Sequence, residues 1–210
     1  MTRERTDVAA VGLTGGIGAG KSTVLEYLAE NGALTLSADE VVHQLYQRED
    51  VRRALAEHFG LEVLVPGGQL DRRRLAEAVR GRPEELAWLE GLTHPLVAEE
   101  IKRFIEDAPA GSVVVCEVPL LFEAGTEKMF DLVVTIEARP DARRERSIHA
   151  FDVEQFGELE ALQASSERRV AGSDLTYFND AGLWPLRMFA NVVYDRALRM
   201  VTAGGAGGVR

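Results

Sequence analysis

A lysine and two hydroxyls placed directly after a run of glycines form a set of groups suited to holding anionic oxygen. Residues 12–23 read GLTGGIGAGKST, with glycine at five of the twelve positions. Gly15, Gly20, Lys21 and Ser22 fall on the spacing G-x-x-x-x-G-K-[ST]. Glycines admit positive φ, so successive backbone N–H groups can turn inward around a phosphate. The cradle is expected to comprise Gly16, Ile17, Gly18, Ala19 and Gly20, continuing through Lys21, Ser22 and Thr23. Lys21 would reach the β and γ phosphates of a nucleoside triphosphate, and the Ser22 hydroxyl would bind Mg²⁺. A flexible glycine turn before a helix is the bland alternative, and it does not explain why spacing and context agree.

Such a loop works only between a strand and a helix. The apolar run Val8–Leu13 supplies the strand, and Ser22–Ala29 carries apolar residues at helical spacing. A second strand is expected at Ala33–Leu36, closing on Ser37-Ala38-Asp39-Glu40, with a helix from Val41 toward Gln47. In a parallel α/β sheet, chemistry collects at the carboxyl ends of strands. Asp39 at such an end is placed to take a proton from an attacking hydroxyl. It is equally placed to cap the next helix, and spacing alone does not choose.

The run Ser112–Cys116 is strongly β-like and leads into Glu117, an acid that would work near the magnesium. Leu120, Leu121 and Phe122 follow as an apolar loop, either core or a wall for a partly apolar substrate. Further strands are expected at Asp131–Ile136 and Leu175–Phe178, with an arginine-rich segment, Arg139–Arg146, after the first of them. A closing helix carries Leu183, Leu186, Phe189 and Val193. The middle of the chain looks helical: one helix over 70–79, one opening at Pro83, and one from Leu96 to Ile105 after Thr93-His94-Pro95.

The 210 residues suffice for one α/β domain with a helical insertion. A single cysteine, Cys116, excludes an internal disulfide framework and a cysteine-rich zinc site. The net charge of −10 argues against general affinity for nucleic acid, so an anionic ligand needs a local positive site. No run is apolar and long enough to span a membrane, and no signal-peptide stretch precedes the glycines. A cytoplasmic location is the expectation.

Taken together, GLTGGIGAGKST, SADEVVHQLY, LDRRRLAEAV, THPLV, VPLLFEAG and SDLTYFNDAG make the chain similar to the dephospho-CoA kinase family from about Val8 to Leu198. The resemblance implies a P-loop nucleotide core over 1–62 and 106–200, with a lid at about 138–170. It also implies a helical CoA-binding insertion over 63–105; the glycine-rich end of the chain, 201–210, is expected to be a flexible tail. It implies Mg²⁺-dependent transfer of the ATP γ-phosphoryl group to the ribose 3′-hydroxyl of dephospho-CoA. By the same resemblance Asp39 is the candidate base, Asn179 lies near the adenine, and Arg146 keeps its motif position near ATP. His94 joins Leu120, Leu121 and Phe122 as a candidate contact for the CoA portion; a histidine before proline is as often structural.

The chain departs from that pattern at several positions. Ser37 stands where the family has the first aspartate of D-A-D, and Glu117 stands where it has aspartate. Asn179-Asp180-Ala181 replaces N-D-G. Usual lid arginines are replaced at Ala150-Phe151 and within Glu158-Leu159-Glu160, shortly before Gln163. Arg143, Arg144, Arg146, Arg168 and Arg169 are the nearby arginines that can supply positive charge instead. The alternatives are a catalytically weak ATP- or CoA-binding relative, or a P-loop kinase for another hydroxyl substrate.

Overall fold

The computed structural model describes residues 7–205. The chain divides into two compact units, residues 1–37 with 102–210 and residues 38–101. The helical unit therefore begins earlier than the insertion expected over 63–105.

In the first unit, five parallel strands form one sheet: β1 Ala9–Gly15, β2 Leu34–Ser37, β3 Val113–Glu117, β4 Leu132–Glu137 and β5 Leu175–Phe178. Their spatial order is β2-β3-β1-β4-β5, all neighbours parallel. β1 is central, and every one of its residues is buried. Every residue of β3 and β4 is buried as well, and their near-continuous Val, Leu and Ile suit strands covered on both faces. Helices α1 (Lys21–Glu30) and α9 (Leu183–Gly205) pack on this sheet: Val24 and Leu28 share a core with Leu186, Ala190, Val193, Ala197 and the β1 residues Val11 and Leu13. α9 runs through Gly205, into the segment expected as a tail, and 206–210 lie outside the described residues.

Three shorter helices fill the segment expected as a lid: α6 Pro140–Ser147, α7 Val153–Leu162 and α8 Ser166–Gly172. Asp152 opens α7 with a capping box, its carboxylate accepting from Gln155 N–H while the Gln155 side chain accepts from Asp152 N–H.

The second unit is helical. It contains α2 Ala38–Leu45, α3 Glu49–Phe59, α4 Arg72–Val79 and most of α5, Pro83–Glu106. Tyr46, Val51, Leu55, Leu75 and Leu89 are its buried centre. Because α2 and α3 contribute to that centre, they belong with the insertion. α4 starts two residues later than its apolar pattern suggests, because Asp71 is its N-cap and accepts from the N–H groups of Arg73 and Arg74. The two helices expected on either side of Pro95 are one helix. Proline removes only its own N–H, leaving the Gly91 carbonyl without its helical donor. One turn earlier, Thr93 Oγ1 donates to the Leu89 carbonyl at 2.8 Å. Among the described residues no helix is long and apolar enough to cross a membrane.

Candidate active site

The glycine loop joins the carboxyl end of β1 to α1, and the strands that follow in sequence lie first on one side of β1 (β2 and β3) and then on the other (β4 and β5). Ligands of open parallel sheets collect at such a switch point. Gly15 has φ 144°, and a Cβ there would lie 2.0 Å from the Ile136 carbonyl oxygen, so only glycine lets β1 approach β4 this closely. Gly20 is the N-cap of α1 at φ 106°. A Cβ at this position would lie 2.6 Å from Asn179 Nδ2.

Lys21 is buried at 9% exposure and its Nζ donates to the Gly16 carbonyl at 3.3 Å. The lysine thus folds back along the loop, with its charge beside the N-terminus of α1, where anions are favoured. Ser22 Oγ donates to Glu117 Oε1 at 3.4 Å. Ser22 is the second residue of α1 and Glu117 closes β3, where it pairs in register with both Leu13 and Ser37. A hydroxyl and a carboxylate at this separation are hard oxygen donors of the kind Mg²⁺ accepts, and Mg²⁺ characteristically takes one or two protein ligands plus phosphates and water. The donor set therefore fits the ion.

Asn179 is 5% exposed, and its Nδ2 donates to the Ala19 carbonyl at 2.8 Å. Its own carbonyl accepts from Arg146 Nη2 at 2.9 Å. These bonds tie the end of β5 and α6 to the glycine loop. Arg143 is the arginine set against that loop: it is 8% exposed and donates from Nη1 to the Ile17 carbonyl at 3.4 Å and from Nε to Ala138 at 3.2 Å. Its Nη2 bonds Glu160 Oε1 of α7 at 2.5 Å. Arg144 is exposed, and Arg168 donates to the Phe122 carbonyl.

Arg169 is 4% exposed and holds Glu137, 2% exposed, through Nε at 2.6 Å and Nη2 at 2.9 Å. This pair links α8 to the end of β4. Gln163 was only a landmark in the sequence, yet its side-chain carbonyl accepts from Ile17 N–H at 2.8 Å. The same amide donates to the carbonyls of Gly15 at 3.3 Å and Pro119 at 3.2 Å.

The remaining sequence-predicted residues are distributed differently. Leu121 and Phe122 are buried at 0% and 7%, and only Leu120 of the apolar loop is half-exposed. Phe122 packs on Gly172 of α8, where a Cβ would come within 2.6 Å of its ring. His94 is half-buried within α5. Asp39 is exposed in the first turn of α2, two residues beyond β2. It is thus a helical residue and not a cap preceding the helix, and an acid in a first turn is favoured by the helix dipole.

A family model described as dephospho-CoA kinase matches residues 9–184. A curated dephospho-CoA kinase of Streptomyces avermitilis is 39% identical over 176 residues, spanning 82% of this chain and 86% of that protein. One of Rhodopseudomonas palustris is 34% identical over 194 residues, spanning 90% and 96%. Among solved structures, a Thermus thermophilus protein superposes with a TM-score of 0.74 at 30% identity, over 89% of this chain and 97% of that one.

Proposed function

The chain belongs to the dephospho-CoA kinase family, and on that premise we propose how its own residues divide the reaction. The activity is ATP-dependent phosphorylation of dephospho-CoA to coenzyme A, the last step of coenzyme A biosynthesis. The observation that carries the assignment is the Lys21–loop–Ser22–Glu117 arrangement at the end of the central strand.

On this reading the N–H groups from Gly16 through Thr23 surround the ATP phosphates. Lys21 swings its ammonium from the Gly16 carbonyl onto the β and γ phosphates. Ser22 and Glu117 would hold Mg²⁺, which would supply charge neutralisation for the transferring phosphoryl group. Asp39 accepts or orients the proton of the ribose 3′-hydroxyl. Arg143 and Arg146 supply positive charge from the segment 138–170, which takes the part of the lid. The burial of Arg143 against the loop supports adding it to Arg146. Asn179 supports the loop from the adenine side. The helical unit, with His94, receives the CoA portion. Leu120 is the exposed part of the apolar wall, while Leu121 and Phe122 support it from the core.

A coupled ADP-release assay with dephospho-CoA, adenosine and a non-nucleoside alcohol as acceptors tests the substrate. Turnover confined to dephospho-CoA is expected, and turnover only with another acceptor overturns it. For Asp39→Asn, kcat at saturating substrates should fall about 10²–10⁴-fold, the range of general acid–base contributions. A fall below about threefold, far short of that range, leaves Asp39 as a first-turn helix residue and no more.

A further inference from the structure

Gln163 bonds the first turn of the glycine loop at two residues, Gly15 and Ile17, and a second loop at Pro119. Its oxygen takes Ile17 N–H, and its nitrogen gives to Gly15 and Pro119. Donor and acceptor are both used, a pattern that neither a carboxylate nor an apolar side chain reproduces. The other side of the same residue is held too, since the Ile17 carbonyl accepts from Arg143.

The glutamine is itself fixed from behind. It is the C-cap of α7, with extended backbone at φ −86° and ψ 146°, and its N–H bonds the Glu160 carbonyl at 3.1 Å. The next residue, Ala164, gives its N–H to Glu123 and accepts at its carbonyl from Arg169. Arg169 is anchored in turn by the buried Glu137. The turn after α7 is thus held at the Gln163 N–H and at both backbone polar groups of Ala164, and the carboxamide bonds the loop.

A loop containing Gly15, Gly16, Gly18 and Gly20 has unusual freedom to lose. If it samples several conformations, its apparent affinity for phosphate falls in proportion to the competent fraction. We propose that Gln163 is a positioning residue that pre-sets the glycine loop for the triphosphate, through Ile17 and Gly15, and fixes it against the segment following the Glu117 strand. It touches neither substrate; it acts through the loop.

The proposal rests on the loop's being the ATP site, and its test separates the two. ATP affinity is measured by calorimetric titration without acceptor for the parent, Gln163→Leu and Gln163→Glu, alongside dephospho-CoA affinity and Tm. In both variants the Kd for ATP should rise about tenfold or more, equivalent to about 1.4 kcal/mol, with dephospho-CoA affinity kept within about twofold. Gln163→Glu should be the weaker binder, because it loses the donor and adds negative charge beside the phosphates. In steady state the KM for ATP should rise and the KM for dephospho-CoA should not. ATP affinity within about threefold of the parent in both variants overturns the proposal. So does equal loss for both ligands, which marks a general packing defect. Should Gln163→Leu fail to fold, the near-isosteric Gln163→Glu decides alone. A parent that binds ATP but turns over no dephospho-CoA refutes the substrate assignment and leaves the Gln163 comparison intact.

Discussion

The sheet unit buries some of its charges while leaving others, such as Arg187 with Glu30, exposed, whereas the ion pairs described for the helical unit lie near the surface. In the sheet unit, Arg169 and Glu137 pair with side chains 5% and 3% exposed, and the guanidinium of Arg143 is buried beside the glycine loop. In the helical unit, Arg73 and Glu77 pair at side-chain exposures of 89% and 56%, and Arg48 with Asp50 at 42% and 55%. His58 bonds Glu85 at 2.6 Å and stacks on Trp88 with centroids 3.8 Å apart, again near the surface. Burying a charge costs more than an apolar side chain of the same size, so its occurrence in the sheet unit needs a reason other than stability. A bidentate buried pair fixes orientation, which is what a site for a transferring phosphoryl group requires. The helical unit is held by Tyr46, Val51, Leu55, Leu75 and Leu89, and its ion pairs decorate the outside.

Breaking the sheet unit's charges should therefore have large effects, the first of them on chemistry. Lys21→Ala should lower kcat/KM by at least about 10³, in the range for removing a cation from a transferring phosphoryl group, with Tm close to that of the parent. Near-normal turnover in a folded Lys21→Ala protein would remove the loop from the mechanism. Arg169→Ala leaves Glu137 buried without its partner and should cost about 3–5 kcal/mol in urea unfolding. A loss under about 1 kcal/mol, the level of an exposed pair, would erase the contrast between the units.

A smaller effect depends on pH. Burial pushes the Cys116 thiol up to about 12 from its ordinary 9.0. The folded protein keeps the proton that the unfolded chain releases above pH 9, so the contribution is complete below pH 9 and is lost as pH rises toward 12. Cys116→Ala should remove that part of the slope, at most about 1.4 kcal/mol per pH unit. Equal slopes for parent and variant between pH 9 and 10.5 would contradict it. Burial likewise raises the Tyr46 phenol in the helical unit, opposed in part by Arg72. Arg73→Ala should change stability least, by less than about 0.5 kcal/mol, as for exposed i,i+4 pairs. A larger loss would mean that the helical unit's surface charges do more than solvate it.

The glycine loop, the parallel sheet and the Ser22–Glu117 edge were legible in the chain because each is written locally: a fixed spacing, apolar runs of strand length, an acid closing a strand. The family pattern added Asp39, Asn179 and Arg146, each tied to a motif. Helix ends were less legible. Asp71 moved the start of α4 by capping it, and α5 continued through Pro95 because a helix already held by packing tolerates one missing donor. Least legible was what braces the loop. Gln163 bonds Ile17 across 146 residues of sequence, and Arg169 meets Glu137 across 32. Arg143, Arg144, Arg146, Arg168 and Arg169 look alike in a charged segment, and only the packing of α6 against the glycine loop and α7, and of α8 on β4, buried Arg143 and Arg169 while leaving Arg144 in solvent. Spacing and periodicity carry information over a turn or a strand. Which polar side chain meets which backbone amide across the molecule is decided only when the tertiary fold desolvates them and each must find a partner.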